Sequence, residues 1–353
     1  MQEENQNSRF DPSRVFNPKI IRRGVIAFVA ITVVAFVGLY MYHDGTKNLE
    51  VWKTLHWKYL LFGLVFVFND LYLGGLRNHI FLAETNPGIS QMVSIKANLA
   101  NIFMGAVTPT QSGGGPAQWY IFYKNGVSIP DMIGTSFYNL ISTILFFPIS
   151  GALAIYVLKD KVPHGFISQL TTIGFTVFLT LTIIIFIALF AQHVFNFIIR
   201  SISGLISKVK TSWGEKFGKL SERAIIKLDE YRARFVEIIK NKPQLMVYSF
   251  LLTIVLYFNK YACAYLFAVA FGLNVSLWSI VAVMAVNYLL LYFAPSPGGS
   301  GIAEVSITGM LAPFVTYAIA PSITLLHRSF MVFLPAIIGA FVILEQLNKE
   351  KLE

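Results

Sequence analysis

The sequence predicts an all-α integral membrane protein, with about six transmembrane helices and two re-entrant helical hairpins arranged as inverted repeats. Three observations carry this. The 353 residues are 55% hydrophobic and only 13% charged, with a mean hydropathy of +0.62, where a soluble domain carries about 25% charged residues. Long apolar runs recur along the chain, several of about 20 residues or more, which is enough to cross the hydrocarbon of a bilayer. A Pro- and Gly-rich run occurs twice: TPTQSGGGPAQ at 108–118 and APSPGGSGIAE at 294–304. Offset by 186 positions, Pro109 falls on Pro295, Gly113 on Gly299, Gly115 on Gly301 and Gln118 on Glu304, and upstream Asn101 falls on Asn287. Proline and clustered glycine break a helix. In lipid the freed backbone groups must be satisfied by protein or by water in a cavity. A broken helix made twice is the sequence pattern of a transport site; the plainer alternative is a pair of Gly-rich loops at the membrane surface.

Taken in order, residues 1–23 are polar and basic, and an apolar run follows from Gly24 to Tyr42. It is longer than a secretory apolar core of about 7 to 15 residues and has no small-residue cleavage pattern, so it reads as a first membrane helix. A loop with Trp52 and Trp57 supplies interfacial anchors. A second span runs from about Tyr59 to Leu82 and carries Asn69, Asp70 and Arg77. The segment from Gln91 to Val107 holds Lys96, Asn98 and Asn101 and is short for a full crossing. With the break and the run from Pro116 to Lys124 it reads as a re-entrant hairpin. Pro130 opens a span to about Leu158, and a further span is expected at 166–199.

Residues 200–242 hold eleven Lys or Arg against five acidic residues, with apolar residues at three- and four-residue steps. This is a basic amphipathic helix suited to anionic headgroups; a soluble coiled-coil arm is the other reading. The second half then replays the first. A span from about Leu245 to Gly272 carries Phe258-Asn259-Lys260 where Phe68-Asn69-Asp70 stood. Leu277 to Phe293 leads to the second break, and Gly301 to Leu311 follows it. Pro321 opens a last span with His327 and Arg328. The whole chain, 1–353, is thus one polytopic domain: repeat one at 57–158, the linker helix at 200–242 and repeat two at 245–345.

With the N-terminus inside and both hairpins re-entrant, the outer loops hold only Lys47, Lys53, Lys58, Lys159 and Lys161. The remaining loop cations fall inside, as the positive-inside rule requires. This places both termini in the cytoplasm and the protein in the plasma (inner) membrane. It also makes the two repeats run in opposite directions, so that their hairpins enter from opposite faces and meet near the midplane.

Half-helices that begin near Gly115-Pro116 and Gly301-Ile302 present free N–H groups and a positive dipole end, which attract a phosphate or a carboxylate. Gly113, Gly114, Gly115, Gly298, Gly299 and Gly301 allow close approach, and Thr110, Ser112, Ser296 and Ser300 add hydroxyls. A tight, closely packed helix entry accounts for the same glycines. Gln118 and Glu304 either contact a headgroup or sit three residues into a helix and cap it. Asp70 and Lys260 are repeat-equivalent and opposite in charge, and either pair with each other or hold substrate. Arg328 holds a phosphate or Glu304. A buried structural ion pair is the alternative for Asp70, Lys260 and Arg328. Arg77 and Lys124 are expected to snorkel to an interface, and Asp131 to cap a helix. Asn69, Asn101, Asn259 and Asn287 are expected to bond between helices.

The lone Cys263 and the scattered histidines exclude a disulfide framework and the usual metal-ligand spacings. No P-loop and no nucleophile triad stands out. No cofactor, no metal and no nucleic-acid partner is expected, and the chain is not expected to be an enzyme. The net charge of +10 fits cytoplasmic loops that face anionic lipid.

The T-P-x-x-x-G-G-G-P run at 108–116, the P-x-P-G-G-x-G-x-x-E run at 295–304 and Arg328 beyond it resemble the flippase-like membrane region of the lysylphosphatidylglycerol synthases, the multiple peptide resistance factor family. The resemblance covers nearly the whole chain. It implies inverted re-entrant hairpins, movement of an aminoacylated phospholipid, and charge at Asp70, Glu304 and Arg328. The fused synthases add a soluble domain that uses aminoacyl-tRNA, and the sequence here ends at Glu353 without one. The expectation is therefore a lipid flippase or transporter whose partner is a membrane lipid, either one with an anionic headgroup or an aminoacyl phospholipid. A membrane-protein partner or a homo-oligomer is also expected. The alternative is a non-transporting scaffold or accessory subunit of a lipid or cell-envelope synthase.

Overall fold

The computed structural model describes residues 16–42, 50–159 and 240–350, with isolated positions between 172 and 201. All regular secondary structure among the described residues is helical: α1 (Pro18–Tyr42), α2 (Lys58–Thr85), α3 (Gln91–Val107), α4 (Gly114–Lys124), α5 (Ile129–Leu158), α6 (Pro243–Ala270), α7 (Leu277–Leu291), α8 (Ile302–Leu311), α9 (Ala320–Arg328) and α10 (Leu334–Glu350). A π turn, Ser329–Phe333, joins α9 to α10. Among the described residues, five helices are long and apolar enough to cross a membrane: α1, α2, α5, α6 and the continuous α9–α10. The expected span at 166–199 and the basic helix at 200–242 lie almost wholly outside the described residues.

Local chemistry sets the boundaries. Ser90 caps α3 by accepting from the Val93 N–H. Ser128 and Asp131 cap α5: the Asp131 N–H bonds the Ser128 hydroxyl, which donates to Asp131 Oδ2 at 2.6 Å. Asp131 thus caps as expected. Both α4 and α6 end on a left-handed glycine, Gly126 and Gly272. In each, the glycine N–H and the next one bond back to the last turn, the latter from Val127 to Phe122 and from Leu273 to Ala268.

The two repeats run in opposite directions, and contacts between α2 and α6 show it. His56 meets Ala270, Gly63 meets Phe267, Phe66 meets Asn259, Asp70 meets Lys260 and Glu84 meets Lys242. From His56–Ala270 at one end to Glu84–Lys242 at the other, numbers rise along one helix as they fall along the other, so the first helices of the repeats are antiparallel. Neighbouring pairs follow the same two-fold plan. Helix α3 packs on α10 as α7 packs on α5, and the two breaks touch each other.

Small residues permit the closest crossings. A Cβ on Gly339 of α10 would lie 2.2 Å from the Leu99 carbonyl of α3, and one on Gly75 of α2 would lie 2.4 Å from Ile95. Without a hydrophobic drive between helices in lipid, such close backbone packing supplies the association. The outward faces are apolar: Leu61, Val65 and Phe68 on α2, Leu251 and Val255 on α6, and Ile337 and Phe341 on α10 are all exposed. Exposed apolar faces on several long helices are those of a chain solvated by lipid.

Candidate functional site

Each repeat breaks its helix in the same way. A one-turn 3-10 segment, Pro109–Gln111 or Pro297–Gly299, is followed by a new helix. Thr110 (φ 51°) matches Gly298 (φ 57°), and Gln111 (φ 56°) matches Gly299 (φ 70°). The structural register is therefore 188 in the breaks, which replaces the 186 read from the sequence. Pro109 pairs with Pro297, and Gly113 with Gly301. The reason is local: one residue separates α3 from its 3-10 turn and five separate α7 from the second, while α7 is two residues shorter than α3, so the repeats slip by a net two between helix and break. Gln118 and Glu304 are not equivalent positions. Glu304 stands at the third position of α8, where its Oε2 accepts the Gly301 N–H at 2.6 Å. Of the two readings of Gln118, the capping one does not hold, because α4 starts at Gly114 with Gly113 as its cap. Gln118 instead accepts from Asn101 (2.8 Å) and donates to Asn78 (3.3 Å).

Four of the candidate charges form two pairs, one fully buried (Glu304–Arg328) and one with a buried carboxylate and a partly buried cation (Asp70–Lys260). Lys260 Nζ lies 2.7 Å from Asp70, at the contact of the two antiparallel helices. Arg328 Nε donates to Glu304 Oε1 at 3.0 Å, and its Nη2 donates to the Gly298 carbonyl at 3.1 Å. Asp70 is 2% exposed and Glu304 0%. The carboxylate of Glu304 so bridges the α8 N-terminus and the α9 guanidinium, and that guanidinium steadies the second break. The anion at the α8 N-terminus is the protein's own.

Two polar cavities lie between the repeats. The first, of about 220 Å³, is lined by Lys260, Arg328, His327, Gly298 and Tyr288 among others. The second, of about 420 Å³, is lined by Arg77, Asn78, Asn139, Thr110, Gly115 and Gln118 among others. They share a wall made by Asn101, Gln111, Tyr257 and Tyr292. Phe147 stacks its edge on Tyr257 (4.9 Å) and Tyr292 (5.7 Å) behind that wall. Along α5 the second cavity takes Ser136 to Thr143 and the first takes Phe147, so the two are displaced along the helix axes.

Apart from Asn101, which lines both, the remaining candidates sit around these cavities without lining them. The Gly113 N–H is held by Thr108 Oγ1 at 2.9 Å. Ser112 turns to the Pro109 carbonyl at 2.9 Å. Gly114 packs on Asn101, where a Cβ would come within 2.6 Å. Ser300 accepts from Thr32 of α1 at 2.9 Å, Ser296 Oγ is buried with no partner among the described residues, and Gly299 and Gly301 take left-handed backbone angles. Asn259 bonds the Phe66 carbonyl on α2 (2.9 Å), and Asn101 bonds across to α4. Asn287 bonds its own helix at Val283 and reaches Met310 of α8. Asn69 is exposed on the outer face of α2.

Arg77 departs most from expectation. It does not snorkel to an interface: it is 9% exposed, and its guanidinium reaches the Asn139 carbonyl and the Thr143 hydroxyl of α5. The sequence reading missed it as a site residue. One signal was present: Arg77 lies seven residues after Asp70, on the same helix face. Lys124 is exposed, with its Nζ 6.0 Å from the Tyr120 ring.

Comparison with known proteins agrees with this architecture. A UPF0104 membrane protein of Archaeoglobus fulgidus is 23% identical over 299 residues, covering 83% of this chain and 86% of that protein. A UPF0104 membrane protein of Pyrococcus horikoshii is 23% identical over 303 residues, covering 82% and 87%. The family described as Lysylphosphatidylglycerol synthase TM region matches residues 25–339. The protein is a multi-pass, all-helical membrane protein, and it belongs to the lysylphosphatidylglycerol synthase TM region family.

Proposed function

We propose that the chain moves the headgroup of a phospholipid or of a lipid-linked compound across the plasma membrane while the acyl chains stay in the bilayer. One observation carries this reading: two cavities that hold polar and charged side chains, displaced along the helix axes and sharing a wall of Asn101, Gln111, Tyr257 and Tyr292, lie inside helices whose outer faces are apolar. A charged headgroup in hydrocarbon is costly, and a path lined by Lys260, Arg328, Arg77 and side-chain amides replaces its hydration. The two helix–break–helix units act as re-entrant hairpins from opposite faces, which their antiparallel first helices support. Movement of Tyr257 and Tyr292 opens the path to one side at a time. Both termini lie in the cytoplasm in this reading, and the protein works as a transporter rather than as an enzyme.

The test is purified protein in phosphatidylglycerol-containing vesicles with a headgroup-labelled lipid and an impermeant quencher. The native protein exposes the inner-leaflet label to the quencher faster than empty vesicles do. Glu304→Gln and Arg328→Ala, if they fold, slow that exposure at least about tenfold, the loss of a charge-assisted hydrogen bond. Native protein no faster than empty vesicles ends the transport reading.

A further inference from the structure

The two cavities differ in charge. In the first, Lys260 is neutralised by Asp70 and Arg328 by Glu304. In the second, Arg77 has no carboxylate partner among the described residues. Among the described residues its contacts are two neutral oxygens, the Asn139 carbonyl and the Thr143 hydroxyl, and its Nε is buried with no partner. Asp70, two helical turns away along α2 and about 10 Å off by the rise of the helix, is already held by Lys260. Around Arg77 the cavity wall is made of neutral polar groups, including Asn78, Asn98, Asn139, Gln118 and Thr110. Among the described residues, no acidic one lines it.

An uncompensated guanidinium nine-tenths buried is expensive unless something brings charge to it. Guanidinium groups match phosphate oxygens in shape and in hydrogen-bond geometry, and bind them more strongly than neutral donors do. A volume of about 420 Å³ falls within the usual range for small-molecule sites of about 300 to 1,000 Å³.

We propose that the cavity around Arg77 is a binding site for a phosphate group, with Arg77 as its counter-charge and the surrounding amides and hydroxyls as its neutral contacts. The proposal deepens the lipid-transport reading, which it rests on for the source of the phosphate: a phosphodiester of a lipid headgroup. Free inorganic phosphate has the same chemistry. In this arrangement the second cavity selects for phosphate, while the neutralised first cavity does not hold an anion by charge alone.

The experiment measures binding to the purified full chain in detergent. The probes are dihexanoyl phosphatidylglycerol, dihexanoylglycerol (the same chains without phosphate) and inorganic phosphate. Native protein is expected to bind the first and not the second. Binding of inorganic phosphate at similar affinity assigns the site to the free anion, and its failure to bind assigns the site to the lipid. Arg77→Gln is expected to weaken phosphate binding about ten- to hundredfold. A second variant guards against misfolding. Asn139→Asp places a carboxylate beside Arg77, supplies the missing counter-charge within the protein, and is expected to fold and to lose binding to a similar extent. Equal affinity for dihexanoylglycerol, no binding of either phosphate probe, or unchanged affinity in a folded variant overturns the proposal. Vesicle translocation separates this from the reading beneath it. A protein that binds phosphate through Arg77 but moves no lipid leaves the site and removes transport. One that moves lipid with Arg77→Gln and Asn139→Asp unaffected leaves transport and removes the site.

Discussion

Asp70 and Lys260 occupy equivalent places in the two repeats and meet where α2 crosses α6. Lys260→Ala leaves a buried carboxylate without its counter-charge, which costs about 3 to 5 kcal/mol. The double substitution Asp70→Asn with Lys260→Met removes both charges and should recover most of that loss. Thermal unfolding in detergent, run on the single and the double variant, reads the difference; equal destabilisation by both would show that the pair is not a unit. The break in repeat one holds a second residue-scale feature. Thr110 and Gln111 adopt left-handed backbone angles where repeat two has Gly298 and Gly299. A β-branched residue at such an angle is strained by roughly 1 to 2 kcal/mol. Thr110→Gly should therefore raise stability by about 1 kcal/mol, less the bond its hydroxyl gives the Pro109 carbonyl. A lowered midpoint of unfolding would contradict the strain.

At the scale of elements, the closest helix crossings depend on glycine. The α3–α10 crossing runs past Gly339, whose missing Cβ leaves room for the Leu99 carbonyl. Gly339→Leu cannot be accommodated by moving a flexible side chain, because the obstacle is backbone. Separation of the helices should cost at least about 1 to 3 kcal/mol, and the yield of monodisperse protein should fall. Gly309, with open space about its Cα, is the control: Gly309→Ala should leave the yield unchanged. The π turn after Arg328 is also an element-scale device. Pro335 has no N–H to give the Met331 carbonyl, so the α9–α10 helix widens for one turn beside the Glu304–Arg328 pair.

For the whole molecule, the antiparallel α2 and α6 and the two displaced cavities make accessibility the decisive measurement. In a Cys263→Ala background, Ser136→Cys reports on the second cavity and Val332→Cys on the first. An impermeant maleimide applied to oriented vesicles should label Ser136→Cys from one side and Val332→Cys from the other. Labelling of both from a single side would mean that the cavities form one vestibule rather than two ends of a path.

Much of the architecture was legible because it follows from properties that act locally along the chain. Apolar length gives spans, proline and glycine give breaks, and a serine before a polar first turn gives a cap; the bounds of α3, Gln91–Val107, could be read from the residues alone. The pattern of a break made twice also reads directly, since it needs only the chain compared with itself. What the sequence determined by itself is that the protein lives in a membrane, is helical, and interrupts two helices in matching places. Tertiary structure alone decided the register of those breaks, the partners of the charges and the fate of Arg77. Two extra residues of register are invisible to a glycine count, because the slip lies in how much chain separates helix from break. A long cation near a helix end looks the same in sequence whether it reaches water or a carbonyl on a neighbouring helix. Whether it is paired depends on which groups other helices bring within a few ångströms, and that distance is a property of the packed bundle.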